Sequence, residues 1–227
     1  MTFTRYAIYF APPADAEWTK FATNWLGWDM EAGRTCDHPV VDGVDVAAVT
    51  DVPRKYGLHA TMKPPFRLHE GQTIEALSEA CARLAATQPA VTLSGLQTAR
   101  LGRFLALRPV GDETALNTLA AACVRDLDGF RAPAPLAELD RRRANGLSAE
   151  QDANLVQWGY PYVMGSFRFH ITLSGKLDKP TLTATQDALQ AQLAPLLPTP
   201  FQIKDLALVG EAADGRFHLI HRYALSG

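Results

Sequence analysis

Apolar and polar residues alternate without a break through Phe167-Arg168-Phe169-His170-Ile171-Thr172-Leu173-Ser174. Period two is the signature of a half-buried strand, so Ser166 to Leu173 is predicted as a strand. One face carries Phe, Phe, Ile and Leu, and the other Arg, His, Thr and Ser. The same logic holds at Gly57 to Lys63, where Leu58, Ala60 and Met62 point inward and Gly57, His59, Thr61 and Lys63 outward. That strand, Leu58 to Met62, enters the turn-prone Lys63-Pro64-Pro65. Further strands are predicted over Arg5–Phe10, stopped by Pro12-Pro13, and over Ala90–Leu96 and Phe104–Val110. Two more, Phe201–Val209 and Phe217–Tyr223, flank the turn-prone Asp214-Gly215. Helical spacing follows Asp15, read as a cap, to Trp28 through Trp18, Phe21 and Trp25. It recurs over Thr73–Gln88 (Ile74, Leu77, Cys81, Leu84), over 112–128 (Leu116, Leu119, Cys123, Leu127) and over Lys179–Leu197. Residues 33–53 show no clear period and read as mostly loop. The stretch 131–158 is charged and restarts at Ser148 with Gln151 three residues on, a capping-box signal, so two short covering helices are expected there.

The predicted order contains one block twice: His-bearing strand, helix, strand, strand. The repeat implies an α+β fold of two pseudo-symmetric lobes, each a small, mostly antiparallel sheet flanked by helices, with a central cleft. The chain of 227 residues, 47% hydrophobic, fits a single bilobal domain over 1–227 with a helical insertion at about 131–158.

The chemistry lies in the repeated strands. In a strand, residues two apart share a face, so His59 projects with Thr61, and His170 with Thr172. If the strands meet, two imidazoles and two hydroxyls surround one cleft. That set suits a phosphodiester, with one histidine as base, the other as acid, and hydroxyls on the phosphoryl oxygens. A lone His-x-Thr is an ordinary surface or hydrogen-bonded histidine; two copies, each followed by the same kind of helix, are much less ordinary. Lys63 and Arg168 flank the motifs as candidate phosphate ligands, Arg168 the better placed because it shares the alternation of His170. Lys63 reads equally as a solvated strand end. Tyr6 and Tyr9 are candidates to line the cleft, but their opposite parity sends at least one into the core. Phe66 reads equally as lining or core. Arg141-Arg142-Arg143 is either a solvated helix face or a lid that closes on phosphate.

These paired motifs in a duplicated α+β chain resemble the two-histidine (2H) phosphoesterase superfamily, which includes RNA 2′,3′-cyclic phosphodiesterases. Arg5-Tyr-Ala-Ile-Tyr-Phe-Ala-Pro, Tyr56-Gly-Leu-His-Ala-Thr-Met-Lys-Pro-Pro-Phe66, Ala99-Arg-Leu-Gly-Arg-Phe-Leu-Ala-Leu107, Phe130-Arg-Ala-Pro and Trp158-Gly-Tyr-Pro-Tyr-Val resemble one branch more closely. That branch is a bacterial family of phosphonate-metabolism proteins of unknown function. The resemblance runs nearly end to end and includes 131–158. It implies metal-independent hydrolysis of a cyclic phosphodiester on a small nucleotide-like or sugar-phosphate substrate, with His59 and His170 catalytic and Thr61 and Thr172 on phosphate. A ribosyl cyclic phosphate from phosphonate breakdown and an RNA end are the substrates it suggests. The rival class is a non-catalytic binder of a nucleotide or RNA end in the same cleft.

Composition narrows the field. A net charge of −2 supplies no global basic field for long nucleic acid. Three widely spaced cysteines, Cys36, Cys81 and Cys123, with no CxxC, read as a reduced, cytoplasmic protein, Cys81 and Cys123 as core. No apolar run reaches the length of a membrane span, and the N-terminus reads as a first strand. Cys36-Asp37-His38 has no partner at ligand spacing, so no zinc site and no cofactor are expected. P-loop, serine-elbow and dinucleotide fingerprints are absent.

Overall fold

The computed structural model describes residues 2–144 and 146–227; Met1, and position 145 of the expected insertion, lie outside the described residues. The chain runs β1 (Arg5–Phe10), α1 (Glu17–Leu26), β2 (Trp28–Asp29), β3 (Arg34–Thr35), α2 (Val46–Arg54), β4 (Ala60–Phe66), α3 (Ile74–Ala86), β5 (Val91–Leu93), β6 (Gly95–Leu101), β7 (Phe104–Val110) and α4 (Thr114–Asp126). It continues through α5 (Leu136–Arg143), α6 (Ala149–Trp158), β8 (Ile171–Thr172), α7 (Lys179–Gln192), β9 (Phe201–Ile203), β10 (Asp205–Glu211) and β11 (Phe217–Ala224). The architecture is α+β, with antiparallel sheets flanked by helices.

The element order β4-α3-β5-β6-β7 recurs as β8-α7-β9-β10-β11. The hairpins that end the two blocks are exchanged. β6–β7 pairs with β8, the strand of the other block, while β10–β11 pairs with β1, which in turn pairs with β4. One antiparallel sheet of seven strands results, in the order β11-β10-β1-β4-β8-β7-β6. Its two parts join through a single pairing, Ala60 with Ile171. β5 and β9 pair with each other as a separate small sheet.

One sheet face is the main core. Ile8 and Phe10 of β1, Ala60 and Met62 of β4, Phe169, Ile171 and Leu173, and Leu105 and Leu107 of β7 pack there with Leu77, Cys81, Leu116, Leu119, Cys123, Leu182 and Leu189 from α3, α4 and α7. Each large aliphatic or aromatic side chain so buried contributes about 1.5–3 kcal/mol before entropy is charged. Trp25 of α1 is fully buried and donates its Nε1 hydrogen bond to the Leu173 carbonyl at 2.8 Å, tying α1 to the end of β8. The opposite face carries a smaller cluster of Ala7, Tyr9, Trp28, Met30, Ala207, Val209 and Phe217 and is otherwise open. No helix among the described residues is long and apolar enough to cross a membrane.

Several expected boundaries are corrected. The loop expected at 33–53 contains β3 and α2, the latter capped by Asp45, whose side chain accepts from the Ala48 amide. The cap of α1 is Ala16, not Asp15, and makes no side-chain hydrogen bond. β4 runs on through Pro64 and Pro65 where a turn was expected. The expected strand at 166–173 forms ladder hydrogen bonds only at Ile171–Thr172. Its alternation nevertheless sorts the side chains: Phe167, Phe169, Ile171 and Leu173 are buried while Arg168 is exposed. The capping box at Ser148 and Gln151 forms as read, both reciprocal bonds being present.

Candidate active site

Antiparallel register makes the site. With Ala60 opposite Ile171, the neighbouring residues fall into place: His59 lies across from Thr172, and Thr61 across from His170. Ala60 and Ile171 point into the core, so all four polar residues project from the other face. Each imidazole thus faces the hydroxyl of the other motif, at cross-strand spacing of roughly 4.5–5.5 Å between Cβ atoms. All four are half-buried.

The rings are held alike. His59 Nδ1 lies 3.0 Å from the Gly57 carbonyl, and His170 Nδ1 lies 2.8 Å from the Arg168 carbonyl. A carbonyl only accepts, so Nδ1 carries the proton in both rings, and Nε2 of a neutral ring is left as the reactive nitrogen. Gly57 is shaped for its part. It follows the end of α2 with its amide on the Arg54 carbonyl and φ of +69°, and a Cβ there would meet Met30 Cβ at 2.9 Å. A side chain at 57 would displace the carbonyl that orients His59.

Tyr9 stacks on His59, with ring centroids 3.9 Å apart and planes at 25°, and Tyr56 lies 5.9 Å away on another side. This enclosure, above all loss of water, pushes the His59 pKa down to about 4; the Gly57 hydrogen bond raises it, and the charge of His170 lowers it further. His59 is therefore neutral at pH 7. The buried Tyr9 phenol is pushed well above its ordinary value by the same loss of water. The hydrogen bond of His170 is exposed to solvent, that of His59 only partly.

A cavity of about 360 Å³ opens on this face. His59, Thr61, Thr172 and Ser174 line it together with Arg5, Tyr9, Tyr56, Pro64, Pro65, Arg142 and Tyr160, whereas His170, across from Thr61, is not among its lining residues. Ser174 is buried, accepts from the Leu105 amide at 2.9 Å and donates to the Gly175 carbonyl. Arg142, on α5 of the insertion, donates to Glu138 at 2.7 Å and sits 4.8 Å from the centre of the Tyr160 ring. Among the described residues no group of three or more His, Cys, Asp or Glu side chains is placed to hold a metal ion.

Other expected ligands lie elsewhere. Lys63 is 1% exposed, with Nζ 3.0 Å from the Val124 carbonyl and 3.3 Å from Asp128, under α4. The cause is a register shift. Tyr9 pairs with Thr61, but Ile8 pairs with Lys63, so the bulge at Met62 turns Lys63 to the core side. Burial lowers its pKa to about 8 against the attraction of Asp128. The Arg168 guanidinium folds back on the carbonyls of Gly165 and Phe167 and does not line the cavity; what Arg168 offers the site is its own carbonyl. Tyr6 and Phe66 are core residues, so parity divides the tyrosines and leaves Tyr9 at the site. Arg5, Tyr56, Tyr160 and Ser174 border the cavity without having been singled out. The alternation Arg5-Ala7-Tyr9 was the available sign for Arg5, and Ser174 closes the polar face of the second motif.

The family model described as "Protein of unknown function (DUF1045)" matches residues 61–218. The chain belongs to this family. The matched span takes in Thr61, His170 and Thr172 and begins two residues after His59. A protein of Janthinobacterium sp. (strain Marseille) named Ribose 1,5-bisphosphate phosphokinase PhnN is 39% identical over 177 residues, 77% of this chain and 39% of that protein. One of the same name from Laribacter hongkongensis (strain HLHK9) is 38% identical over 179 residues, 77% of this chain and 41% of that protein. The chain spans about two fifths of the length of these curated relatives. Among solved structures, E. coli LigT in its apo form superposes with a TM-score of 0.49 at 17% identity, covering 100% of both chains. TT0787 of Thermus thermophilus superposes with a TM-score of 0.45 at 17% identity, covering 98% of each.

Proposed function

We propose that the chain is a metal-independent phosphodiesterase that opens a cyclic phosphodiester by two-histidine acid–base catalysis. The observation that carries this reading is the cross-strand quartet: two imidazoles with Nδ1 on a carbonyl, each opposite a threonine hydroxyl, on the open face of one sheet. His59, kept neutral by burial, is the base and takes a proton from water as its oxygen adds to phosphorus. His170, at the more open position, is the acid and donates a proton to the leaving sugar oxygen as the P–O bond breaks. Thr61 and Thr172 donate to the non-bridging oxygens. Each acid–base role contributes typically ~10²–10⁴-fold.

The substrate is a small sugar or nucleotide phosphate. The cavity volume suits one such molecule. The relatives' name, Ribose 1,5-bisphosphate phosphokinase, supports a ribose framework, since a protein that contains this unit together with such a kinase would use the product of one in the other. The chain covers 39% and 41% of those relatives, so the kinase activity in their name is not carried over to it.

The test is hydrolysis of a panel of cyclic phosphates in excess EDTA by wild type, His59→Ala and His170→Ala, with circular dichroism as a check on folding. The expected result is turnover by wild type and a loss of at least about 100-fold in kcat/KM in each folded variant. Tight binding without turnover would favour a nucleotide or RNA-end binder. Activity abolished by EDTA would favour a metal-dependent hydrolase.

A further inference from the structure

Resting on the two-histidine reading, we infer that the cleft has a second anion subsite formed by Arg5 and Arg142, so that the substrate is a cyclic phosphodiester of a sugar that already bears a phosphate monoester. Arg5 shares the cleft face of β1 with Tyr9, four residues along, roughly 13 Å at strand rise. Tyr9 stacks on His59. Arg5 and His59 line the same cavity, whose volume of about 360 Å³ is that of one small sugar phosphate. Pro64, Pro65, Tyr56 and Tyr160 line the same cavity.

The charges at this end are organised for an anion. Glu211 holds Arg5 through Nε and Nη2, the latter at 2.6 Å, which leaves Nη1. Glu138 orients Arg142 while Tyr160 supports its guanidinium plane. Arg67 lies 3.8 Å from the same Glu138, and Lys55 lies over Tyr56. Of these groups, the guanidinium groups of Arg5 and Arg142 line the cavity. Planar guanidinium groups fixed by carboxylates are suited to bidentate phosphate recognition. Arg142 comes from the insertion between α4 and β8, which gives that segment a role: it completes the distal wall.

The reaction balances with water alone. The water oxygen bonds to the cyclic phosphorus, one ring P–O bond breaks, and the freed sugar oxygen takes a proton. The distal monoester is unchanged, and the product is a sugar bisphosphate.

The experiment compares two substrate pairs in EDTA: ribose 1,2-cyclic phosphate with its 5-phosphate, and adenosine 2′,3′-cyclic phosphate with its 5′-phosphate. The ratio of kcat/KM within each pair is the readout, and it cancels any loss of folded protein. Wild type is expected to prefer the 5-phosphorylated member of at least one pair about tenfold or more. Arg142→Gln is expected to bring that ratio close to one, and Arg142→Lys to restore part of it. The double variant Arg5→Gln with Glu211→Gln, which leaves no unpaired carboxylate, is expected to lower it as well. Equal rates within both pairs in wild type would overturn the second subsite while leaving the two-histidine reading intact, as would an undiminished ratio in Arg142→Gln. No hydrolysis of any member would overturn both.

Discussion

The decisive residue-scale feature is the unlike setting of two identical motifs. His59 is enclosed by Tyr9 and Tyr56 and its pKa is lowered to about 4; His170 makes the same Nδ1 bond in the open. Enclosure fixes how activity should fall with acid. Protonation of the free-enzyme base sets the acidic limb of kcat/KM, so that limb should have its midpoint near 4. Tyr9→Leu admits water to the ring, and the midpoint should move up toward the ordinary histidine value of about 6.5. A pH–rate profile of the two proteins checks this; an unmoved limb in a folded Tyr9→Leu protein would remove Tyr9 as the cause. The motif residues were legible because period two places His with Thr whatever the tertiary context. Lys63 was misread because one bulged residue reverses parity, and no residue type at Met62 announces a bulge.

At the scale of elements, β4 carries that bulge. Its prolines suggested a turn, yet Pro64 and Pro65 lie beyond the reach of β8, which pairs only at Ala60, so the missing amide hydrogens cost no ladder bond on that side. The buried Lys63 is anchored to Asp128, which also binds Arg131 through Nε at 2.8 Å. This triad is a structural tie between β4 and the end of α4. Lys63→Met should therefore keep catalytic turnover within about twofold and, as a hydrophobic replacement of similar length, cost little stability. Asp128→Asn leaves a buried ammonium without its carboxylate and should destabilise by about 3 kcal/mol; urea denaturation of the two variants measures the contrast. The helix α2 escaped the sequence reading because Val46, Val49, Thr50 and Val52 are β-branched and Pro53 stands in its last turn. Tertiary contacts, among them the bond from the Gly175 amide to the Val49 carbonyl, override that weak propensity.

At the scale of the molecule, exchange of the hairpins makes each half depend on the other. The repeat was visible in the sequence as strand, helix and two strands, twice. The joining of both halves in one sheet was not, because strand order is set by pairing between residues distant in the chain. β1 is covered on one side by β10, and β8 is covered by β7. A fragment ending at residue 165 would lack β8 to β11, leaving exposed the β1 edge that pairs with β10 and the β4 edge that pairs with β8. It should not fold alone, and far-ultraviolet circular dichroism with amide exchange would show this; a cooperative, protected fragment would contradict the shared sheet.

The joining of the halves has one catalytic purpose in this reading: to set two imidazoles on a single phosphorus atom. A double-mutant cycle on a cyclic phosphate tests this most directly, comparing kcat/KM of wild type, His59→Ala, His170→Ala and the double variant. Groups that act in one transition state are strongly non-additive. The expected result is that each single substitution costs at least about 100-fold and the double costs little more than the worse single. Losses that simply multiply, or a single variant as active as wild type, would contradict it.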